Sequence, residues 1–154
     1  MVFSGAVIAS AAGGAELFSS AEAAKIIGFP VIHTRTIGPE KDDDAPAQAT
    51  HWVHQAKEAV VVVTRLDFTS AADAKKFATP EFVKKENDSE EGKVTVDAGV
   101  GEKTFWTVTP DGSALTFLQG SHIASIAFSG RNIGSPESHK EALKAAALVI
   151  AGRL

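Results

Sequence analysis

The sequence predicts an α+β protein in which a curved, mainly antiparallel sheet of about five to seven strands is covered on one face by about three helices. Three observations carry this reading. Helix-capping signals stand at three well-separated places, at Ser19, Ser70 and Ser135. Between them lie short segments rich in β-branched and aromatic residues, the composition of strands. Several of those segments are separated only by turn chemistry, Pro110-Asp111-Gly112 and Gly120-Ser121, which joins neighbouring strands antiparallel.

Residues 1–14 read as a segment ahead of a single domain spanning residues 15–154. Ala9-Ser10-Ala11 after a short apolar stretch matches the end of a secretory signal, yet no basic residue precedes it. The other reading is an ordinary strand over residues 2–9, ended by Gly13-Gly14. Both stay open. A true start further upstream implies an extracytoplasmic protein, and an ordered strand a cytoplasmic one.

Ser19-Ser20-Ala21-Glu22 is a capping box, in which Ser19 serves one free N–H of the first turn and Glu22 reaches back to another. Gly28 sits where a left-handed residue ends a helix, and Pro30 blocks continuation. Strands are expected at residues 31–37, 50–55 and 60–66, and the unbroken Val60-Val61-Val62-Val63 suits burial on both faces. Ser70 opens a second helix with Ala71, Ala74, Phe77 and Ala78 on one side, and Pro80 either ends it or starts a further turn. Strands then follow at 93–97, 104–108, 114–118 and 123–128. Ser135-Pro136-Glu137 opens the last helix with a cap, a proline at its first position and a carboxylate near the positive end of the dipole. Leu143, Ala146, Ala147, Ile150 and Leu154 continue it at helical spacing. The acidic stretches 38–46 and 86–92 read as surface loops. This order leaves room for an ancient duplication, although the halves share no residue pattern.

Composition narrows the chemistry. The 154 residues include no cysteine and no tyrosine, which removes thiolate nucleophiles, disulfides, Cys-type zinc sites and phenolic acid/base groups. Lys+Arg 15 against Asp+Glu 19 gives a formal charge of −4 with no basic block, so no nucleic-acid partner is expected. No apolar run reaches the ~20 residues of a membrane helix. A chain of this length buries roughly two-thirds of its unfolded surface, so packing and caps can hold it without cross-links.

In His51-Trp52-Val53-His54, strand alternation sets the two histidines on opposite faces, where they cannot share one metal. His33 and His122 add no ligand spacing, and His139 is expected to be solvated. Asp42-Asp43-Asp44 lacks the alternating ligands of a calcium loop. Gly99-Val100-Gly101-Glu102-Lys103-Thr104 fails as a phosphate loop, because its Gly and Lys are not adjacent and a strand follows. Asn87-Asp88-Ser89 is a glycosylation sequon with meaning only in a secreted eukaryotic protein. No metal site and no cofactor are expected. Phe105 and Trp106 are consecutive, so one ring must face away from the other and can line a pocket. Trp52, His54, Phe105, Trp106 and His122 are therefore the candidate ligand-binding set, provided they converge on one cavity.

The segment from Ala15 to Val31, a capped helix followed by Gly28-Phe29-Pro30-Val31, resembles the start of small bacterial exported or lipoprotein-type domains of uncharacterised function. Val100-Gly101-Glu102-Lys103-Thr104-Phe105-Trp106 is similar to that group's Leu-Gly-acidic-x-Ala-aromatic-Trp segment. Leu115-Thr116-Phe117-Leu118-Gln119-Gly120 resembles its strand and turn, and the Ala-rich end at Arg153-Leu154 its terminal helix. The group's cysteines are absent here, and with them any lipid anchor. A narrower resemblance links residues 60–66, Asp67-Phe68-Thr69-Ser70, Ala74-Lys75-Lys76-Phe77 and Thr79-Pro80-Glu81-Phe82-Val83-Lys84 to the strand–helix unit of ferredoxin-like dimeric α+β barrels.

The first resemblance implies a non-enzymatic binding or interaction domain, monomeric or homodimeric, that takes a small apolar ligand or a protein partner. The second implies a small monooxygenase- or cyclase-like enzyme acting on an apolar small molecule, with His51 or His54 as general base. It also implies a symmetric dimer whose sheets stack face to face.

Overall fold

The computed structural model describes residues 17–28, 33–41, 46–54, 58–87 and 91–154, with the backbone alone over 33–41 and 46–54. The expected N-terminal strand or signal remnant, Pro30-Val31, Asp42-Asp43-Asp44 and the end of the sequon lie outside the described residues.

Helix α1 (Ser20–Ile27) starts from a complete capping box. The Glu22 N–H donates to Ser19 Oγ at 3.1 Å, and the Ser19 N–H donates to Glu22 Oε2 at 2.7 Å. Gly28 ends the helix at φ 83°, its N–H bonded to the Ala24 carbonyl at 2.8 Å. Strands β1 (His33–Lys41), β2 (Pro46–His54) and β3 (Ala59–Asp67) then form an antiparallel meander. β1 runs through part of the acidic stretch expected as a loop. Its register shifts between Ile37 and Glu40, where Gly38 and Pro39 interrupt the ladder.

Pro80 both ends one helix and starts another. Helix α2 (Ala71–Phe77), capped by Ser70, stops at Ala78. Helix α3 (Pro80–Glu86) begins at once, with the Phe82 N–H donating to Thr79 Oγ1 and proline in the first turn, where its missing N–H costs nothing. A second meander follows: β4 (Lys93–Asp97), β5 (Lys103–Thr109), β6 (Gly112–Gln119) and β7 (His122–Ser129). β3 pairs antiparallel with β7, joining the meanders into an open seven-stranded sheet of order β1-β2-β3-β7-β6-β5-β4. A 3-10 turn, Pro136–His139, leads into α4 (Lys140–Ala151), so the long helix starts a turn after its Ser-Pro-Glu signal. Ser135 caps no N–H; its hydroxyl donates to Glu137 Oε2 at 2.6 Å instead.

Unbroken registers from β3 through β5 assign every side chain there to a face. The front face carries Val61, Val63, Ile126, Phe128, Leu115, Phe117 and Trp106, sealed by Ala23 and Ile27 of α1 and by Leu143, Ala147 and Ile150 of α4. The back face carries Leu66, Ile123, Leu118 and Phe105, roofed by Ala74 of α2 and Val83 of α3. The antiparallel α+β class stands, but the helices divide between both faces rather than covering one. The reason is that β3, β5, β6 and β7 place large apolar residues on both sides, and each side needs a cover. Since α2 and α3 reach only the Leu66 end, Val61 and Val63 are buried while Val60 and Val62 stay half-buried, short of the two-sided burial their run implies.

The same division decides against a duplication. Two meanders joined through antiparallel β3 and β7 would be related by a two-fold axis perpendicular to the sheet, which keeps corresponding helices on one face. The helices preceding the meanders, α1 and the α2–α3 pair, lie on opposite faces. His139 also differs from expectation: its ring meets Phe128 edge-on, centroids 4.8 Å apart, and its Nε2 bonds the Ile133 carbonyl. At the open end of the front core, Arg153 donates from Nη1 to the Leu17 carbonyl (3.0 Å) and to Glu22 Oε2 (2.9 Å), and from Nη2 to Glu22 Oε1 (2.7 Å). The Arg153 guanidinium, with the Ser19 bonds, lowers the Glu22 carboxyl to about 2.

Candidate functional site

The loop from β4 to β5 sets Trp106 on the front face. Gly101 (φ 62°) passes so close to β6 that a Cβ there would stand 2.3 Å from the Leu118 carbonyl oxygen. This backbone approach, not phosphate binding, accounts for the glycine. Thr104 then fastens the loop to the strand, its hydroxyl donating to the Val100 carbonyl at 2.6 Å and accepting from the Val100 N–H at 3.2 Å. Two residues on, alternation brings Trp106 to the same face, opposite Thr95 of β4 and Leu115 of β6.

Trp106 is 6% exposed, and what it shows lines an open groove of about 580 Å³. Val108, Thr95 and Lys93 extend the groove along β5 and β4, and Pro110, Pro136, Glu137 and Glu91 edge it. Lys140 links this region to α4. Its Nζ stands 5.6 Å from the Trp106 ring centroid and 3.0 Å from Asp97 Oδ2. Asp97 Oδ2 makes no aligned hydrogen bond, so the lysine contact is an ion pair rather than a directed bond. That ammonium, together with the Ala98 N–H on Oδ1, holds the Asp97 carboxyl below its ordinary range. Glu137 is lowered too, by the Ser135 hydroxyl and its own N–H. The groove thus combines an indole, two prolines and a valine with hydroxyls and charges of both signs at its rim. It has the size and mixed lining of a small-molecule site.

The five residues nominated from sequence do not share this place. Of the three whose side chains are described, Phe105, Trp106 and His122, only Trp106 lines the groove. Phe105, 3% exposed, packs into the back core beside Leu118 and Ile123, because strand neighbours alternate faces. Trp52 holds the register position opposite Val61, and β3, β7 and β6 lie between its strand and β5. Four strand spacings make that separation roughly 19 Å. His54 lies opposite Ala59 at one end of β3, and His122 opposite Asp67 at the other. Eight residues of strand set those two positions roughly 26 Å apart. One cavity cannot collect them.

His122 has its own partner. Its Nδ1 lies 2.6 Å from Asp67 Oδ1, which also accepts from Arg65 Nε at 2.7 Å. The carboxylate orients the imidazole, but no hydroxyl nucleophile is bonded to it among the described residues. Among those residues, too, no group of three or more His, Asp or Glu could hold a metal ion, and no helix is long and apolar enough to cross a membrane. Lys93, Thr95, Pro136 and Glu137 line the groove but were not among the site residues nominated from the sequence. Ser135-Pro136-Glu137 signals a helix start locally, while its place beside β5 depends on where β7 delivers the chain. Set beside known proteins, the chain matches no family model and no curated protein sequence.

Proposed function

We propose that this protein is a non-catalytic binding domain that holds a small, largely apolar ligand in the groove at Trp106. The carrying observation is the groove itself: an open space of about 580 Å³ lined by the exposed part of Trp106 together with Val108, Pro110 and Pro136. A flat hydrocarbon body would lie against these groups, with a polar tip within reach of Thr95, Thr109 or Lys93. Resemblance to exported bacterial domains adds an extracytoplasmic setting to the same proposal. The enzyme alternative, which needs two sheets stacked face to face, has no comparable observation in its favour, since helices already stand on both faces.

The test is titration of the isotope-labelled protein with indole as an apolar probe, followed by NMR. Shifts confined to Trp106, Thr95, Val108 and Thr109, and abolished by the groove-filling substitution Glu137→Trp at an exposed position, are the expected result. Shifts elsewhere, or shifts that survive Glu137→Trp, would defeat this reading.

A further inference from the structure

Strand β4 forms one edge of the sheet, and among the described residues nothing pairs with its outer side. An edge strand presents a row of free N–H and C=O groups, which proteins ordinarily shield with a proline, a bulge or an inward-pointing charge. β4 reads Lys93-Val94-Thr95-Val96-Asp97, with no proline and an unbroken register against β5. Its back-face residue Val96 is 74% exposed, the most exposed large hydrophobic among the described residues.

This strand is complementary to itself when reversed. With Thr95 opposite Thr95 of a second copy, antiparallel pairing sets Lys93 opposite Asp97 and Val94 opposite Val96, each twice by symmetry. Lys93, Thr95 and Asp97 share the front face and Val94 and Val96 the back, so charges meet charges and valines meet valines. The phase of the ladder does not disturb this. Whether Thr95 or its two valine neighbours turn their backbone groups outward, the same two-fold pairing satisfies them. Sliding by two residues one way would set Asp97 opposite Glu91, a like-charge contact; sliding the other way sets it opposite Thr95. Asp97 already holds Lys140 at 3.0 Å, so Lys93 of the second copy selects the register more than it strengthens the pair.

The geometry points to β4 as a homodimerisation edge, where two copies pair antiparallel about Thr95 and extend one sheet through both molecules. The inference is drawn from the backbone edge and the strand's own sequence rather than from the groove, although Lys93 and Thr95 belong to both. The axis is perpendicular to the sheet, so the front faces of the two copies remain on one side. A single short strand pair buries little area, so the dimer should be weak and concentration-dependent.

Sedimentation of the full chain over a wide concentration range is the first measurement. Dimer formation is expected, weakened about tenfold or more by Val96→Lys, which removes two valine pairs from a position that supports no core. The register is read by cysteine scanning, which is clean in a chain without cysteine. Directly opposed positions have Cα atoms about 4.5–5.5 Å apart, inside the ~4.4–6.8 Å a disulfide spans. Thr95→Cys should therefore form a disulfide dimer under mild oxidation at least about tenfold faster than Lys93→Cys, whose copies lie off-register, or the remote Arg131→Cys. A protein that stays monomeric to its solubility limit would overturn the inference. So would a dimer indifferent to Val96→Lys, or cross-linking no faster at position 95 than at 131.

Discussion

The front of the sheet is sealed by two well-anchored helices, whereas the back is roofed by two short ones. On the front, α4 alone buries Leu143, Ala146, Ala147 and Ile150, and α1 adds Ala23 and Ile27. On the back, α2 buries Ala74 and α3 buries Val83, one residue in each two-turn helix. A seven-residue helix turns only about twice, so it offers its cover few contacts. The consequence shows in the packing. Beneath α3 a cavity of about 40 Å³ remains, bordered by Thr64, Ser125 and Thr116, and the Thr116 hydroxyl is buried without a partner. The two faces teach that a sheet residue can be equally buried on either side and still differ in how firmly it is held.

The contrast can be broken most forcefully in the two cores. Phe128→Ala, at a front position 2% exposed, should cost about 3–5 kcal/mol in urea unfolding, because it empties space that α4 and α1 cannot refill. Leu66→Ala on the back should cost about 2–3 kcal/mol, the low end for a leucine, since the short helices can settle inward. If Leu66→Ala proved the costlier, the ranking of the faces would be reversed.

Next comes the clasp at the end of the front core. Glu22→Gln should cost about 1–2 kcal/mol at neutral pH, combining part of a cap with a partly exposed ion pair. The Glu22 carboxyl lies at about 2 in the folded protein, below its ordinary 4.5, so its contribution is complete above that ordinary value. It is lost as the pH falls from there towards about 2, and the stability gap between wild type and variant should close over that window. Unfolding curves at several pH values would show a constant gap if the pair contributed nothing.

Smaller effects sharpen the picture of the back. Thr116→Val replaces an unpaired buried hydroxyl with an isosteric methyl and should stabilise by up to about 1 kcal/mol. A loss of stability would mean that the hydroxyl is satisfied by water in the cavity. Smallest of all, Val96→Lys should change the stability of the dilute protein by less than about 0.5 kcal/mol, as its position supports no core.

What could be read in advance follows the range of the forces concerned. Ser19, Glu22, Gly28 and Ser70 act on backbone groups within four residues, so the starts of α1 and α2 and the end of α1 were legible locally. The strands were legible from their β-branched runs and turn residues, each found within a few residues of its expected limits in the described chain. Face assignment was not, because it depends on β3 meeting β7, a pairing between residues some sixty positions apart such as Val63 and Ile126. The groove was half-legible for the same reason. Phe105-Trp106 shows that two rings must part, but the choice of which meets Pro136 is made by the sheet's distant neighbours. His139 illustrates the reverse error, a polar residue at a helix start whose ring finds Phe128 through tertiary packing.

The clasp between Arg153 and Glu22 joins residues 131 positions apart. During synthesis α1 is made before β3 and well before α4, the two elements that together cover Ala23 and Ile27. The second meander can assemble before α4 is made, but the front core cannot close until Arg153 has been made. Closure of the front core is thus a late event set by the order of synthesis, and a chain halted before residue 140 would hold α1 against β3 without α4 or the clasp to Arg153.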